Sequence, residues 1–257
     1  MPPVTFPNPF LRTSAQHAVA VIPARYDSSR LPGKVLADIV GRPMVEHVYR
    51  RAAAANGIDA VVVATDDERI ASAVESFGGV VRLTQPGHRT GTDRVAETAR
   101  DLRCEIVVNV QADLPLIEPE MIAEVVSPFA DDDTVQMSTL RQAISDPAEE
   151  DNPNVVKVVV DRRGNALYFS RSKIPYCRED GVCFKHIGLY AFRREFLLSF
   201  AALSQTPLER AESLEQLRAL EHGYPIRAVE TRFESVEVDT PEDLERVRRR
   251  VSAAARV

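Results

Sequence analysis

The chain has 257 residues, 44% hydrophobic and 27% charged, with 11 glycines; this excludes a disordered polymer and a collagen-like one. Its net charge of −6 repels a phosphate backbone, which argues against general nucleic-acid binding but leaves room for a local basic pocket that takes a small anion. Only four of the 32 basic residues are lysines (Lys34, Lys157, Lys173 and Lys185), a skew that accompanies GC-rich genomes and singles out each lysine.

In chain order, residues 1–17 carry four prolines and no apolar core of a signal peptide, and read as a flexible or surface-draped extension. Ala18–Ile22 is a short apolar run, the pattern of a buried strand. Pro43–Ala55 has a helical face of Met44, Val48 and Ala52, stopped by Gly57. Ala60–Ala64 is a second buried strand. Thr65–Glu68 has capping-box spacing ahead of a helix with Ile70, Ala73, Val74 and Phe77 on one face. Val80–Leu83 predicts a strand, Thr92–Leu102 a helix and Glu105–Val110 a strand. Strands alternating with helices at this tempo predict βαβ units and a largely parallel sheet.

The second half changes character. Val155–Val160 and Ala166–Ser170 flank a polar turn and predict a hairpin, and Ile187–Phe192 a further strand. Leu208–Glu221 reads as one helix; Val229–Thr231 and Ser235–Val238 read as short strands. Thr240 caps a last helix with Pro241 in its first position and Leu244, Val247 and Val251 buried. Residues 18–257 thus read as one α/β domain whose hairpin insertion serves as a lid or a dimer contact. No apolar run approaches the ~20 residues that span a membrane. Three cysteines (Cys104, Cys177 and Cys183) in no CxxC pair predict neither a disulfide framework nor a zinc site, and suit the cytoplasm.

Three segments carry chemistry. Pro23–Lys34 follows a strand with arginines, serines, a Pro-Gly turn and a lysine, a set suited to a polyphosphate at the carboxyl end of a parallel strand. It is not a Walker A loop, and a solvated loop of ordinary charge is an open alternative. Asp113, just past a buried strand, and Asp239, ahead of a capped helix, suit a Mg²⁺ ion held between protein carboxylates and a nucleotide; Asp239 as a mere cap is the alternative. His88–Arg94 is a hydroxyl- and glycine-rich turn entering a helix, whose N–H groups suit an anion or a base. His186, Tyr190 and the helix bearing Glu215 and Gln216 read on spacing alone as core and surface positions.

These segments resemble the 3-deoxy-manno-octulosonate cytidylyltransferase family, the CMP-Kdo synthetases, from about residue 18 to 251. The matching stretches are IPARYDSSRLPGK at 22–34, ATD at 64–66, Gly91-Thr92, NVQAD at 109–113, NPN at 152–154, ALYFSR at 166–171, KHIGLY at 185–190, LEQLR at 214–218 and VDTPEDLE at 238–245. The resemblance implies a single cytidylyltransferase domain of Rossmann-like nucleotidyltransferase fold. CTP would meet Ala24, Arg25, Ser28 and Lys34 at its phosphate side, and Thr90, Gly91, Thr92 and Gln111 near cytosine and ribose. Asp113 and Asp239 would hold Mg²⁺. Lys34, Arg25 and Asp113 would carry catalysis. An acidic acceptor would meet Arg94, Gln111, Arg171, His186, Tyr190, Glu215 and Gln216, and its hydroxyl would attack the α-phosphorus to release pyrophosphate. Such enzymes are usually homodimers, with no nucleic-acid or membrane partner.

One motif departs. Family members read Gln-Gly-Asp-Glu-Pro where this chain has Gln111-Ala112-Asp113-Leu114-Pro115. Ala112 is expected to narrow the space beside the ligands, and Leu114 to remove a charge from the mouth of the site. This departure and the arginine skew keep open a small phosphonate acceptor, such as phosphonoformate, and a homologue that binds the nucleotide without turning it over. Retention of Lys34, Asp113 and Asp239 argues against the latter.

Overall fold

The computed structural model describes residues 16–28, 31–179 and 181–254. Apart from its last two residues, the N-terminal extension lies outside the described residues, as do Ser29 and Arg30 of the basic loop. Two compact units divide the chain: one takes residues up to Ala123 and from Ser235 onward, the other Glu124–Glu234.

In the first unit, β1 (Gln16–Pro23) leads through a 3-10 turn (Lys34–Leu36) and the small ribbon β2 (Asp38–Ile39) and β3 (Arg42–Pro43) to α1 (Met44–Ala53). Then follow β4 (Ala60–Thr65), α2 (Glu68–Ser76), β5 (Val81–Leu83), α3 (Gly91–Ala99), β6 (Cys104–Asn109) and α4 (Pro119–Val126). The strands lie in the order β6-β1-β4-β5, all parallel, with Val21 beside Val62 and Val19 beside Val107. Ala18–Ile22 and all of β4 are fully buried, as expected of parallel strands covered on both faces. The predicted face of α1 is buried too: Met44, Val48 and Ala52 are all inaccessible. The cap of α2 lies two residues beyond the expected one. Asp67, not Thr65, accepts the Arg69 N–H at 2.9 Å, because Thr65 is still the last residue of β4.

The second unit contains α5 (Pro128–Asp131), β7 (Met137–Ala143), α6 (Pro147–Asp151), β8 (Lys157–Val160), β9 (Ala166–Ser170), β10 (Phe184–Arg193), α7 (Arg194–Ala202), α8 (Pro207–Glu212), α9 (Leu217–Glu221) and β11 (Arg227–Glu230). Its strands run β11-β7-β10-β8-β9, antiparallel except for β11 on β7. The predicted hairpin is β8–β9, its turn tied by Asp161 accepting from the N–H groups of Arg163 and Asn165 at 2.8 Å. The single helix expected over 208–221 is two. Ser213 adopts the left-handed conformation (φ 52°, ψ 49°) and separates α8 from α9. The break places Glu209 and Arg218 against each other as a buried ion pair, each side chain 5% exposed.

The chain then returns to the first unit. Ser235–Val238 is not a strand, although Val238 N–H donates to Asp113 O at 3.0 Å. α10 (Pro241–Ala254) is capped reciprocally: Asp243 N–H donates to Thr240 Oγ1 and Thr240 N–H to Asp243 Oδ2. Val238, Leu244 and Val247 pack with Ile39 and Met44 in one apolar cluster. This burial fixes the segment that carries Asp239.

Removing one partner of the buried pair would strand a desolvated guanidinium. Glu209→Ala is expected to destabilise the fold by about 3–5 kcal/mol, read as a lowered midpoint in urea unfolding.

Candidate active site

Three strand ends and one returning segment build a cavity of about 330 Å³ in the first unit. Ala24, Arg25 and Ser28 come from the loop after β1, Thr90 and Gly91 from the start of α3, Gln111, Ala112 and Asp113 from the loop after β6, and Asp239 from the turn before α10. This is the carboxyl edge of a parallel sheet, where ligands of such folds bind. Lys34 and Arg94 also line it, as do His88 and Arg89, which the sequence reading left without a role.

Lys34 sits at the centre. Its Nζ donates to Asp113 Oδ2 at 2.8 Å, to Asp239 Oδ1 at 3.1 Å and to the Val238 carbonyl at 3.1 Å. Burial alone would lower its pKa, but the charges and hydrogen bonds of Asp113 and Asp239 outweigh that and hold it above the ordinary lysine value. The preceding Gly33 has φ 68°, and a Cβ there would stand 3.2 Å from the Tyr26 ring. The Pro-Gly turn therefore has a steric reason.

Gln111 is oriented by a buried amide. Its Nε2 donates to Asn109 Oδ1 at 3.0 Å, and Asn109 Nδ2 donates to Thr92 Oγ1 at 3.3 Å. Thr90 caps α3 by accepting the Asp93 N–H at 3.1 Å, so the positive end of that helix opens into the cavity beside Gly91. Arg94 is 5% exposed and pairs with Asp66 at 3.0 Å, the aspartate of the motif after β4. Its charge is thus locally balanced. Ala112 lines the cavity as expected. Leu114 does not face the mouth: it is 1% exposed, so an apolar residue there fills core and its identity says nothing about the ligand.

The other expected acceptor residues lie in the second unit. Arg171 donates to three carbonyls, those of Glu212 at 2.7 Å, Pro153 at 3.0 Å and Ser213 at 3.4 Å. Glu212, which sequence reasoning missed, accepts from Ser170 Oγ at 2.7 Å and Arg171 N–H at 2.9 Å. A glutamate at a helix C-terminus opposes the dipole, and these donors explain its position. Gln216 is 3% exposed, and its buried Nε2 has no hydrogen-bond partner among the described residues. Glu215 Oε1 lies 3.8 Å from Arg218.

His186 meets Phe169 edge-to-face and Tyr190 at a tilt, with ring centroids 5.0 and 5.4 Å away. Thr139 Oγ1 donates into the β10 bulge, to the carbonyls of Ile187 and Leu189, and has only one proton. It also lies 2.9 Å from His186 Nε2, in a hydrogen bond whose direction follows the tautomer of the ring. Burial pushes the His186 pKa down to about 3, so the ring is neutral.

A profile of the cytidylyltransferase family matches residues 19–244. The chain belongs to the cytidylyltransferase family. This cytidylyltransferase is 53% identical over 246 residues to 3-deoxy-manno-octulosonate cytidylyltransferase of Geobacter metallireducens, covering 91% of this chain and 97% of that one. It is 54% identical over 247 residues to the protein of the same name from Pelobacter propionicus, with the same coverage. Among solved structures, CMP:2-keto-3-deoxy-manno-octonic acid synthetase complexed with CTP matches at a TM-score of 0.90 and 46% identity, over 93% of this chain and 100% of that one. The 4-diphosphocytidyl-2C-methyl-D-erythritol synthase of Anaerococcus prevotii, at 14% identity and a TM-score of 0.60, shares the fold alone. The expected class is therefore borne out: a nucleotidyltransferase of Rossmann-like α/β fold with a mostly parallel central sheet.

The neutral histidine has a measurable consequence. Its folded pKa lies below the unfolded value near 6.5, so the unfolded state takes up the proton first and stability falls as pH drops from about 6.5 toward 3. Relative to His186→Gln, the native protein is expected to lose up to about 1.4 kcal/mol per pH unit in that window, measured by urea unfolding at stepped pH.

Proposed function

We propose that this cytidylyltransferase transfers CMP from CTP to the anomeric hydroxyl of Kdo, giving CMP-Kdo and pyrophosphate. The observation that carries the reading is the Lys34 ammonium bridging Asp113 and Asp239 inside a cleft lined by Arg25, Arg89 and the start of α3. A triphosphate needs this mixture of cations and N–H donors, and a metal–triphosphate needs the two carboxylates.

Two carboxylates that bond one ammonium point at one place, and their hard oxygens fit a divalent cation there. Among the described residues no group of three or more His, Cys, Asp or Glu side chains gathers as a metal site. A two-carboxylate set suits Mg²⁺, which completes its shell with phosphate oxygens and water. Bound between Asp113 and Asp239, the ion would neutralise charge that builds on the phosphates during transfer.

The chain's own residues do the rest. Arg25 and Lys34 bind the phosphates and draw charge toward the departing pyrophosphate; the long lysine stem lets the ammonium follow it. Ala24 and Ser28 shape the loop around the triphosphate, while Thr90, Gly91, Thr92 and Gln111 hold cytosine and ribose. The resemblance implies Arg94 in the first unit and Arg171, His186, Tyr190, Glu215 and Gln216 in the second as partners of the acceptor; among the described residues the Gln216 Nε2 has no hydrogen-bond partner. Catalysis is mostly positioning and charge neutralisation. Identity above 50% across nearly the full length of relatives named for Kdo supports this acceptor over a phosphonate. Buried Leu114 removes one argument for the phosphonate. We place the enzyme in the cytoplasm as a homodimer with the hairpin at its interface. Among the described residues no helix is long and apolar enough to cross a membrane.

Pyrophosphate release is the direct test. With CTP and Mg²⁺, Kdo is expected to support release, while phosphonoformate does not, and UTP, ATP and GTP serve poorly. Release with phosphonoformate alone would transfer the assignment to a phosphonate. CTP binding without release on any acid would favour a binding protein.

A further inference from the structure

Cys177 and Cys183 lie on the connection between β9 and β10, six residues apart, with their sulfurs 4.0 Å from each other. They differ in setting: Cys177 is exposed and Cys183 is buried, 3% accessible. Cys104, the remaining cysteine, is buried. Near Cys183 stands Glu150, whose negative charge helps raise the thiol's pKa and which pairs with Lys173 at 2.5 Å. Neither thiol has a part in the chemistry above. One sulfur open to solvent, a second within reach behind it and a carboxylate against the second make the arrangement of an oxidisable thiol with its resolving partner.

We propose that Cys177 and Cys183 form a reversible disulfide when the protein meets a peroxide. In the first step the Cys177 sulfur attacks one peroxide oxygen. The O–O bond breaks, Cys177 becomes a sulfenic acid, and the hydroxide that departs takes up the Cys177 proton and leaves as water. In the second step the Cys183 sulfur attacks the Cys177 sulfur. The S–O bond breaks, and the departing hydroxide takes the Cys183 proton and leaves as water. One peroxide is reduced to two waters as two thiols become one disulfide, and a dithiol reductant reverses it. Burial and the neighbouring Glu150 hold the Cys183 thiol protonated, with a pKa raised to about 11. The exposed sulfur is therefore the one that meets the oxidant first, and the buried, protonated Cys183 waits to resolve it. The distance asks for a local shift only, because both cysteines sit on one short connection rather than on separate elements.

The test is intact-mass and peptide mapping of the full chain after a brief equimolar peroxide treatment, followed by alkylation. The expected result is loss of two hydrogens, a Cys177–Cys183 linked peptide, alkylation of neither residue, and return of both thiols on adding dithiothreitol. Cys183→Ser should stop at a Cys177 sulfenic acid that dimedone traps. Glu150→Gln removes a charge that keeps Cys183 protonated, and should speed closure while leaving the first oxidation unchanged. Over-oxidation of Cys177 with Cys183 still alkylated would overturn the proposal. So would a crosslink between chains whose yield rises with protein concentration. Because the readout is covalent, neither outcome depends on the assigned acceptor.

Discussion

Two carboxylates that share one point repel each other unless a cation stands between them. Asp113 and Asp239 are such a pair, and Lys34 is the cation. The lysine is 79 residues from one partner and 205 from the other, so this one interaction ties the first strand's loop to the middle and to the end of the chain. The backbone bond from Val238 to Asp113 and the apolar cluster beneath α10 hold the returning segment in register. Without that burial, Asp239 would have no fixed address. The net charge of −6 and the basic cleft are thus compatible: the surface is acidic as a whole, while the cavity gathers Arg25, Lys34, Arg89 and Arg94 around two aspartates.

The second unit solves a different problem, that of fixing loops without long secondary structure. Its device is the cation on backbone carbonyls. Lys157, fully buried, donates to the carbonyls of Asn152, Val155 and Arg171, and Arg171 donates to those of Pro153, Glu212 and Ser213. Burial lowers the Lys157 pKa, with Asp151 opposing the shift. The carbonyls take the place that water dipoles would fill around an exposed ammonium. Together these bonds draw the turn before β8, the end of β9 and the α8–α9 break to one place. That is how residues 152–155, Arg171 and residues 212–213 become neighbours there.

Much of this was legible in the sequence. Each buried parallel strand is a continuous apolar run, and each first-unit helix shows its buried face at helical spacing, because burial on two faces or on one leaves those periods. The loop after β1 and the aspartate after β6 were legible because strand ends and charge together imply a site. The misreadings have local causes. One helix was expected over 208–221 because its apolar spacing is unbroken; the left-handed turn at Ser213 has no glycine to mark it. Ser235–Val238 alternates like a strand, yet it bonds through Val238 to a loop rather than to a strand partner. Leu114 was assigned to the mouth because its neighbours are there, whereas one residue along a turn is enough to point a side chain into the core. Glu212 bonds Ser170 and Asn109 bonds Thr92, each on another element, which no local pattern records.

Lys34 as the hinge between the protein's carboxylates and a triphosphate is the claim on which the site rests. Calorimetric binding of CTP and of CMP, with saturating Mg²⁺, to the native protein and to Lys34→Met tests it most directly. CTP affinity is expected to fall about 10- to 100-fold, the worth of one charge-assisted hydrogen bond, while CMP affinity holds. An equal loss for both nucleotides, or no loss for CTP, would contradict it.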